Sequence, residues 1–278
     1  MAHANQVRTT LSLSGARSEL GQVLARMPAQ VPDASVHVNL AGQHANTLLQ
    51  DGHAWKGFAR AMLGKTRRAL RTAQAAGATT FVRASFAFVR GVERGSVLDE
   101  PLQSCMAAIL ESEALVLTSA PSACVVRLGY LYGPRSADLR AYRTAFRLRR
   151  PYWSGDAHAL QHHLHQSDAA SALLAAARAG QAGKTWYATD SHAASFEDFM
   201  DAFAQRVGCS RPLHLPLRSR LLASVIICSE HMQQTALAMP QPARLPRVPG
   251  WRPRFADYRV GLDQVVNAWR DEANAGPA

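Results

Sequence analysis

The sequence predicts an α/β fold: a Rossmann-like parallel sheet with flanking helices, with strands missing near the N-terminus, and a smaller C-terminal substrate-type domain. Three observations carry this. Short runs of β-branched and aromatic residues alternate with longer stretches of helical periodicity. Glycines stop the helical stretches at Gly77, Gly180 and Gly208. Only residues 22–35 separate the first glycine-rich turn from the next good strand, whereas a strand–helix–strand unit takes roughly 30 residues.

The elements follow in order. Val7 to Ser14 is a weak strand and Ser35 to Ala41 a better one; Thr80 to Val89 and Cys124 to Tyr132 are the clearest. Trp55 to Ala76 and Gln103 to Leu117 read as crossover helices. Asp168 to Ala179 is an alanine-rich helix closed by Gly180, and Thr185 to Thr189 a short strand. Ser195 caps a helix that runs to Val207, with Glu197 and Asp198 at its positive end. Leu221 to Ile227 suits a core or interface helix. Met239 to Arg254 holds five prolines and cannot be regular structure; an amphipathic helix from Tyr258 to Trp269 follows.

Composition narrows the classes. With 47% hydrophobic and 18% charged residues the chain is globular rather than disordered. The net charge of +11 first suggests nucleic acid. Yet 28 of the 31 basic residues are arginines and most are scattered, a pattern that GC-rich codon usage produces by itself. Phosphate-bearing small molecules also suit the charge. Arg140, Arg143, Arg147, Arg149 and Arg150 form the densest group, a phosphate grip or a solvated face. Cys105, Cys124, Cys209 and Cys228 are far apart, as buried thiols in a reducing compartment are. No run reaches the ~18 apolar residues of a membrane span, and Met1 to Thr10 lacks a secretory core. The expected location is the cytoplasm.

The order of motifs is the most informative feature. Val38-Asn39-Leu40-Ala41-Gly42 ends a strand in small residues. Phe81 to Gly91 reads FVRASFAFVRG, and Val125 to Pro134 reads VVRLGYLYGP. Leu164 to Ala172 carries His165 and Asp168 in an HxxD pattern, and Gly250-Trp251-Arg252-Pro253 precedes the last helix. From Ser35 to Trp269 this collinear series resembles the extended short-chain dehydrogenases/reductases, in particular the NAD-dependent epimerase/dehydratase family. The resemblance implies NAD or NADP as cofactor and a small-molecule, nucleotide-sugar-like substrate. It implies a cofactor-binding region over residues 1–150 and a smaller substrate region over 151–278. Lining residues would be Gly15, Ser18, Gly21, Ala41, Gly42, Ser85, Arg127 and Tyr132. A homodimer is compatible with it; nucleic-acid and membrane partners are disfavoured.

Three departures stand beside the resemblance. The pyrophosphate turn, Gly15-Ala16-Arg17-Ser18-Glu19-Leu20-Gly21, has Ser18 where the family has its middle glycine. The strand that would carry the ribose-binding acid, and the one after it, are missing. The catalytic Tyr and Lys positions fall on Cys105 and Ile109, and the Ser position on Phe86 with Ser85 beside it. That chemistry needs a hydroxyl tuned by an adjacent cation, and no YxxxK exists in the chain. Nothing in sequence near Cys105 would activate it as a nucleophile. His158 and His162 would suit zinc only if helical, and no partners complete a site, so no metal is expected. Two readings stay open: a reductase or epimerase using another acid, Ser85 or Tyr130, or a non-catalytic ligand-binding scaffold that kept the fold and lost the chemistry.

Overall fold

The computed structural model describes residues 10–27, 35–42, 52–93, 98–100, 102–120, 122–150, 152–153, 158–215 and 245–275. The first part of the chain runs β1 (Thr10–Ser14), α1 (Glu19–Leu24), β2 (Ser35–Asn39), α2 (Gly52–Ala75), β3 (Thr80–Phe86), α3 (Val89–Glu93), α4 (Leu102–Ser119), β4 (Ala123–Leu128) and β5 (Tyr130–Tyr132). It continues through α5 (Ala137–Arg147), β6 (Tyr152–Trp153), β7 (Gln161–His165), α6 (Gln166–Ala179), β8 (Lys184–Ala188), β9 (Ala193–Ala194), α7 (Phe196–Arg206), β10 (His214–Leu215) and α8 (Tyr258–Asn274).

The central sheet has the order β1-β2-β3-β4-β8, and every pair is parallel. β1 pairs directly with β2, Thr10 opposite Ser35. Among the described residues no strand lies beyond β1, in keeping with the short spacing after the glycine turn. β3 and β4 are buried on both faces, which is why they read as nearly unbroken apolar runs. The strand period of two sorts their side chains between two helical layers. Val82, Ala84 and Val126 meet α1 and α6. Phe81, Arg83 and Ser85 face the α2 and α4 side, and Phe86, the last residue of β3, joins that side out of the alternation. Alanines of α6 let that helix settle closely on the sheet.

The expected strand from Cys124 to Tyr132 is two strands. A side chain at Gly129 would lie 2.6 Å from the carbonyl oxygen of His162, so only glycine passes there. Beyond it β5 joins a second sheet, β5-β7-β9. That sheet and α5, α7 and α8 enclose a second core around Phe196, Phe199, Phe203, Leu262 and Trp269. The expected cap at Ser195 is present as a full capping box with Asp198.

The proline-rich segment from residue 245 lies across the first core. Tyr187 N–H donates to Pro246 O at 2.8 Å, and Trp251 Nε1 to Ser171 Oγ at 2.9 Å. The Asp168 carboxylate accepts from the backbone N–H groups of Arg254 and Phe255 at 3.0 and 2.9 Å. The suggested helix from Leu221 to Ile227, residues 239–244 and Cys228 lie outside the described residues.

Candidate functional site

The C-terminal ends of β1 and β2 bring Gly15, Ser18, Gly21, Ala41 and Gly42 together. Gly15 has φ of 88°, open to glycine at little cost, and its α-carbon packs on Leu40. A side chain at Gly21 would meet the Ala16 carbonyl oxygen at 2.7 Å and that of Gly15 closer still, so α1 can rest on the turn only with glycine there. Ser18 caps α1: its Oγ accepts from Gly21 N–H at 3.1 Å and donates to Gly15 O at 2.7 Å. Gly42, φ 100°, lies against Met62 and Phe58. The turn therefore fits a pyrophosphate at the first and third glycines, where tight turning and close packing are required. At the middle one, the serine hydroxyl already occupies an amide donor.

The neighbouring edge, formed by β3 and α4, is filled with apolar side chains. Phe86 stacks on Phe88 at 5.1 Å and meets Phe58 edge-on at 5.9 Å; Phe88 continues to Tyr130 at 5.7 Å. Cys105 and Ile109 are 0% exposed and pack into the same cluster with Leu102 and Met106. Burial raises the Cys105 thiol pKa well above its usual value, so it stays protonated.

Beneath this edge lies a buried ionic network. Ser85 and Arg127 are register partners on β3 and β4. Ser85 Oγ donates to Glu113 Oε1. Arg127 donates to Glu113 Oε2 at 2.6 Å, to both Glu93 oxygens at 2.6 and 2.8 Å, and to Tyr187 Oη at 2.7 Å. Hydrogen bonds from Arg127 hold the Glu93 carboxyl below its usual pKa despite the opposing effect of burial. Two residues before Ser85 on β3, Arg83 is fully buried, and among the described residues its hydrogen-bond partners are Thr66, Met62 and Ser112. Burial lowers its pKa to about 10, which leaves it charged at neutral pH.

Tyr132 is not brought to the glycine turn. Its ring lies in the second core, edge-on to His165 and Phe199, with its hydroxyl against Gly261 of α8. His165 caps α6 through Ser167 N–H and reaches Gln264 of α8, whereas Asp168 serves the distant proline-rich segment. His162 lies on a strand, so the helical spacing that zinc would need from His158 is absent. Elsewhere Glu197, Asp201 and His214 lie close together, and Arg211 bridges both carboxylates at 2.8 and 2.7 Å. Neither Glu93 nor Tyr187 carries a local sequence signal; both meet Arg127 only through folding.

No family model matches the chain. A curated protein of a Streptomyces species, 3-diazoavenalumate denitrifying reductase, is 31% identical over 258 residues, covering 86% of this chain and 82% of that protein. The chain belongs to the NAD-dependent epimerase/dehydratase family of extended short-chain dehydrogenases/reductases. Solved members of this family share its fold at low identity. UDP-glucose 4-epimerase from Thermotoga maritima, with UDP-glucose, superposes with a TM-score of 0.67 at 12% identity, covering 95% of this chain and 100% of the other. RMD from Pseudomonas aeruginosa, complexed with NADPH, gives 0.65 at 16%, with the same coverage. Human epimerase family protein SDR39U1, with NADPH, gives 0.65 at 16%, covering 93% and 99%.

Proposed function

We propose that this chain is an NAD(P)H-dependent reductase that works without a phenol–ammonium proton shuttle. The observation that carries the reading is the burial of Phe86, Cys105 and Ile109 in one apolar cluster at the family's catalytic positions. Gly15, Ser18, Gly21, Ala41 and Gly42 would hold the dinucleotide, and residues 151–278 would supply the substrate side. When bound, the cofactor supplies a hydride.

The Streptomyces relative is named for removing nitrogen from a diazo compound, and that chemistry suits such a site. When a diazonium carbon takes a hydride, a C–H bond forms, the C–N bond breaks and dinitrogen leaves with the bonding pair. No oxygen has to be protonated, so neither a tuned phenol nor its ammonium neighbour is required. Phe58, Phe86 and Phe88 would exclude water from the reacting carbon. Ser85 and Arg127 would act from below as positioning residues, holding the ends of β3 and β4. A nucleotide-sugar-like substrate, suggested by neighbours crystallised with UDP-glucose, would need polar side chains along the edge that the aromatic cluster occupies.

A second reading is favoured by the exposed flank of β1, which leaves the adenosine side without a further strand among the described residues. In it the protein is a ligand-binding scaffold without turnover. Cofactor titration by fluorescence and thermal shift separates the two. The reductase reading requires saturable NADPH or NADH binding. It also requires transfer of deuterium from the labelled nicotinamide into the new C–H bond of an arenediazonium substrate. No binding at millimolar cofactor would leave only the scaffold.

A further inference from the structure

α5, α7 and α8 enclose a hollow of about 350 Å³ whose rim is arginine. Arg143 and Arg147 come from the last two turns of α5, Arg206 from the end of α7 and Arg270 from α8. Trp269 and Val266, 6% and 8% exposed, form an apolar floor. None of these residues belongs to the glycine turn or to the network beneath the aromatic edge.

The four arginines are not equivalent. Arg206 is committed: its Nε lies 2.7 Å from Asp263 and donates to the carbonyl of Arg259. Arg140, just outside the hollow, pairs with Glu272 at 3.1 Å. Among the described residues Arg143, Arg147 and Arg270 have no carboxylate partner. Arg143 lies over the Trp269 ring at 5.3 Å, and Arg270 reaches only Asn267. Partial burial, then the fields of Arg147 and Arg140, lower the pKa of Arg143. Like charges gathered around a concave surface repel one another unless an anion sits among them. Guanidinium forks match phosphate oxygens two at a time. The volume is at the lower end of the roughly 300–1,000 Å³ of small-molecule sites, large enough for a phosphorylated small molecule and too small for a nucleic-acid duplex.

We propose that this hollow is a second ligand site that binds the phosphate or pyrophosphate group of a small molecule through Arg143, Arg147 and Arg270. The proposal does not depend on the reductase reading.

Calorimetric titration of the full chain with inorganic pyrophosphate at fixed ionic strength tests it. One site per chain is expected, unchanged by saturating NADPH and not reproduced by chloride at equal ionic strength. Because a charge-assisted hydrogen bond is worth about 1.5–3 kcal/mol, the exposed double variant Arg147→Gln/Arg270→Gln should weaken binding about tenfold or more. Arg147→Lys keeps the charge and should lose less, and Arg252→Gln, exposed on the proline-rich segment, should bind like the parent. Equal thermal midpoints establish that the variants are folded. ADP and a phosphate monoester, run as separate arms, distinguish a nucleotide from a simpler phosphorylated ligand. The proposal fails if the double variant binds normally, if Arg252→Gln weakens binding equally, or if NADPH displaces pyrophosphate.

Discussion

The glycine turn and the aromatic edge lie side by side on one sheet, and they have diverged differently. In the turn, function and folding ask for the same thing, the absence of side chains. Gly15 and Gly21 are where α1 meets β1, and a methyl group at Gly21 would strike backbone. At the edge, the family's chemistry and its packing are separable. Phe86, Cys105 and Ile109 form a packed apolar cluster there that asks for no polar partners. The edge can therefore accept apolar side chains of similar volume at little cost, whereas the turn cannot give up Gly21 without moving backbone.

The sharpest way to break this contrast is to attack the polar layer under the edge. Arg127→Met leaves the buried Glu113 without its cation and Glu93 with Arg90 alone, and should cost about 3–5 kcal/mol, read as a lowered denaturation midpoint. Next is Gly21→Ala, which should cost about 1–3 kcal/mol through overpacking and abolish NADPH binding. Wild-type cofactor affinity in a folded Gly21→Ala protein would mean that the turn is only structural. Ser85→Ala removes one donor to Glu113 and should cost about 1–2 kcal/mol while hydride transfer persists. Loss of turnover with normal cofactor binding would make Ser85 the acid instead.

One further effect shows itself only through pH. Burial, helped by the Glu19 charge, raises the Asp138 pKa from 3.8 to about 7. Between those values the unfolded chain has released the proton that the folded chain keeps, so this residue's contribution to stability falls as pH rises. Asp138→Asn cannot ionise. Its thermal midpoint relative to the parent should therefore climb from about pH 4 to about pH 7 and then level off. A difference independent of pH would remove Asp138 from the account.

Much of this was legible in residue order. The β-rich runs gave β3 and β4, the glycine stops gave the ends of α2 and α6, and Ser195 gave a cap. The short interval after Gly21 marked strands as missing there; that β1 pairs directly with β2 came from the structure. What escaped was long-range pairing. Arg127 reads as a pocket wall in the VVRLGYLYGP run, and nothing local says that Glu93, 34 residues earlier, and Tyr187, 60 residues later, would both turn toward it. Tyr132 was misplaced for a related reason. Gly129 diverts the chain into another sheet, and alternation along a single strand does not report such a diversion. Charge density marked Arg143 and Arg147, but only the packing of α8 on α7 brought Arg270 to them.

The Asp168 carboxylate, finally, bears on how the protein comes into being. The two amides it accepts from lie 86 and 87 residues further along the chain. As the polypeptide emerges from the ribosome, that carboxylate, buried once the protein is folded, must stay hydrated until residue 255 clears the exit tunnel. Final locking of the first core is therefore a late event in biosynthesis, and the nascent intermediate is where chaperones would find this protein.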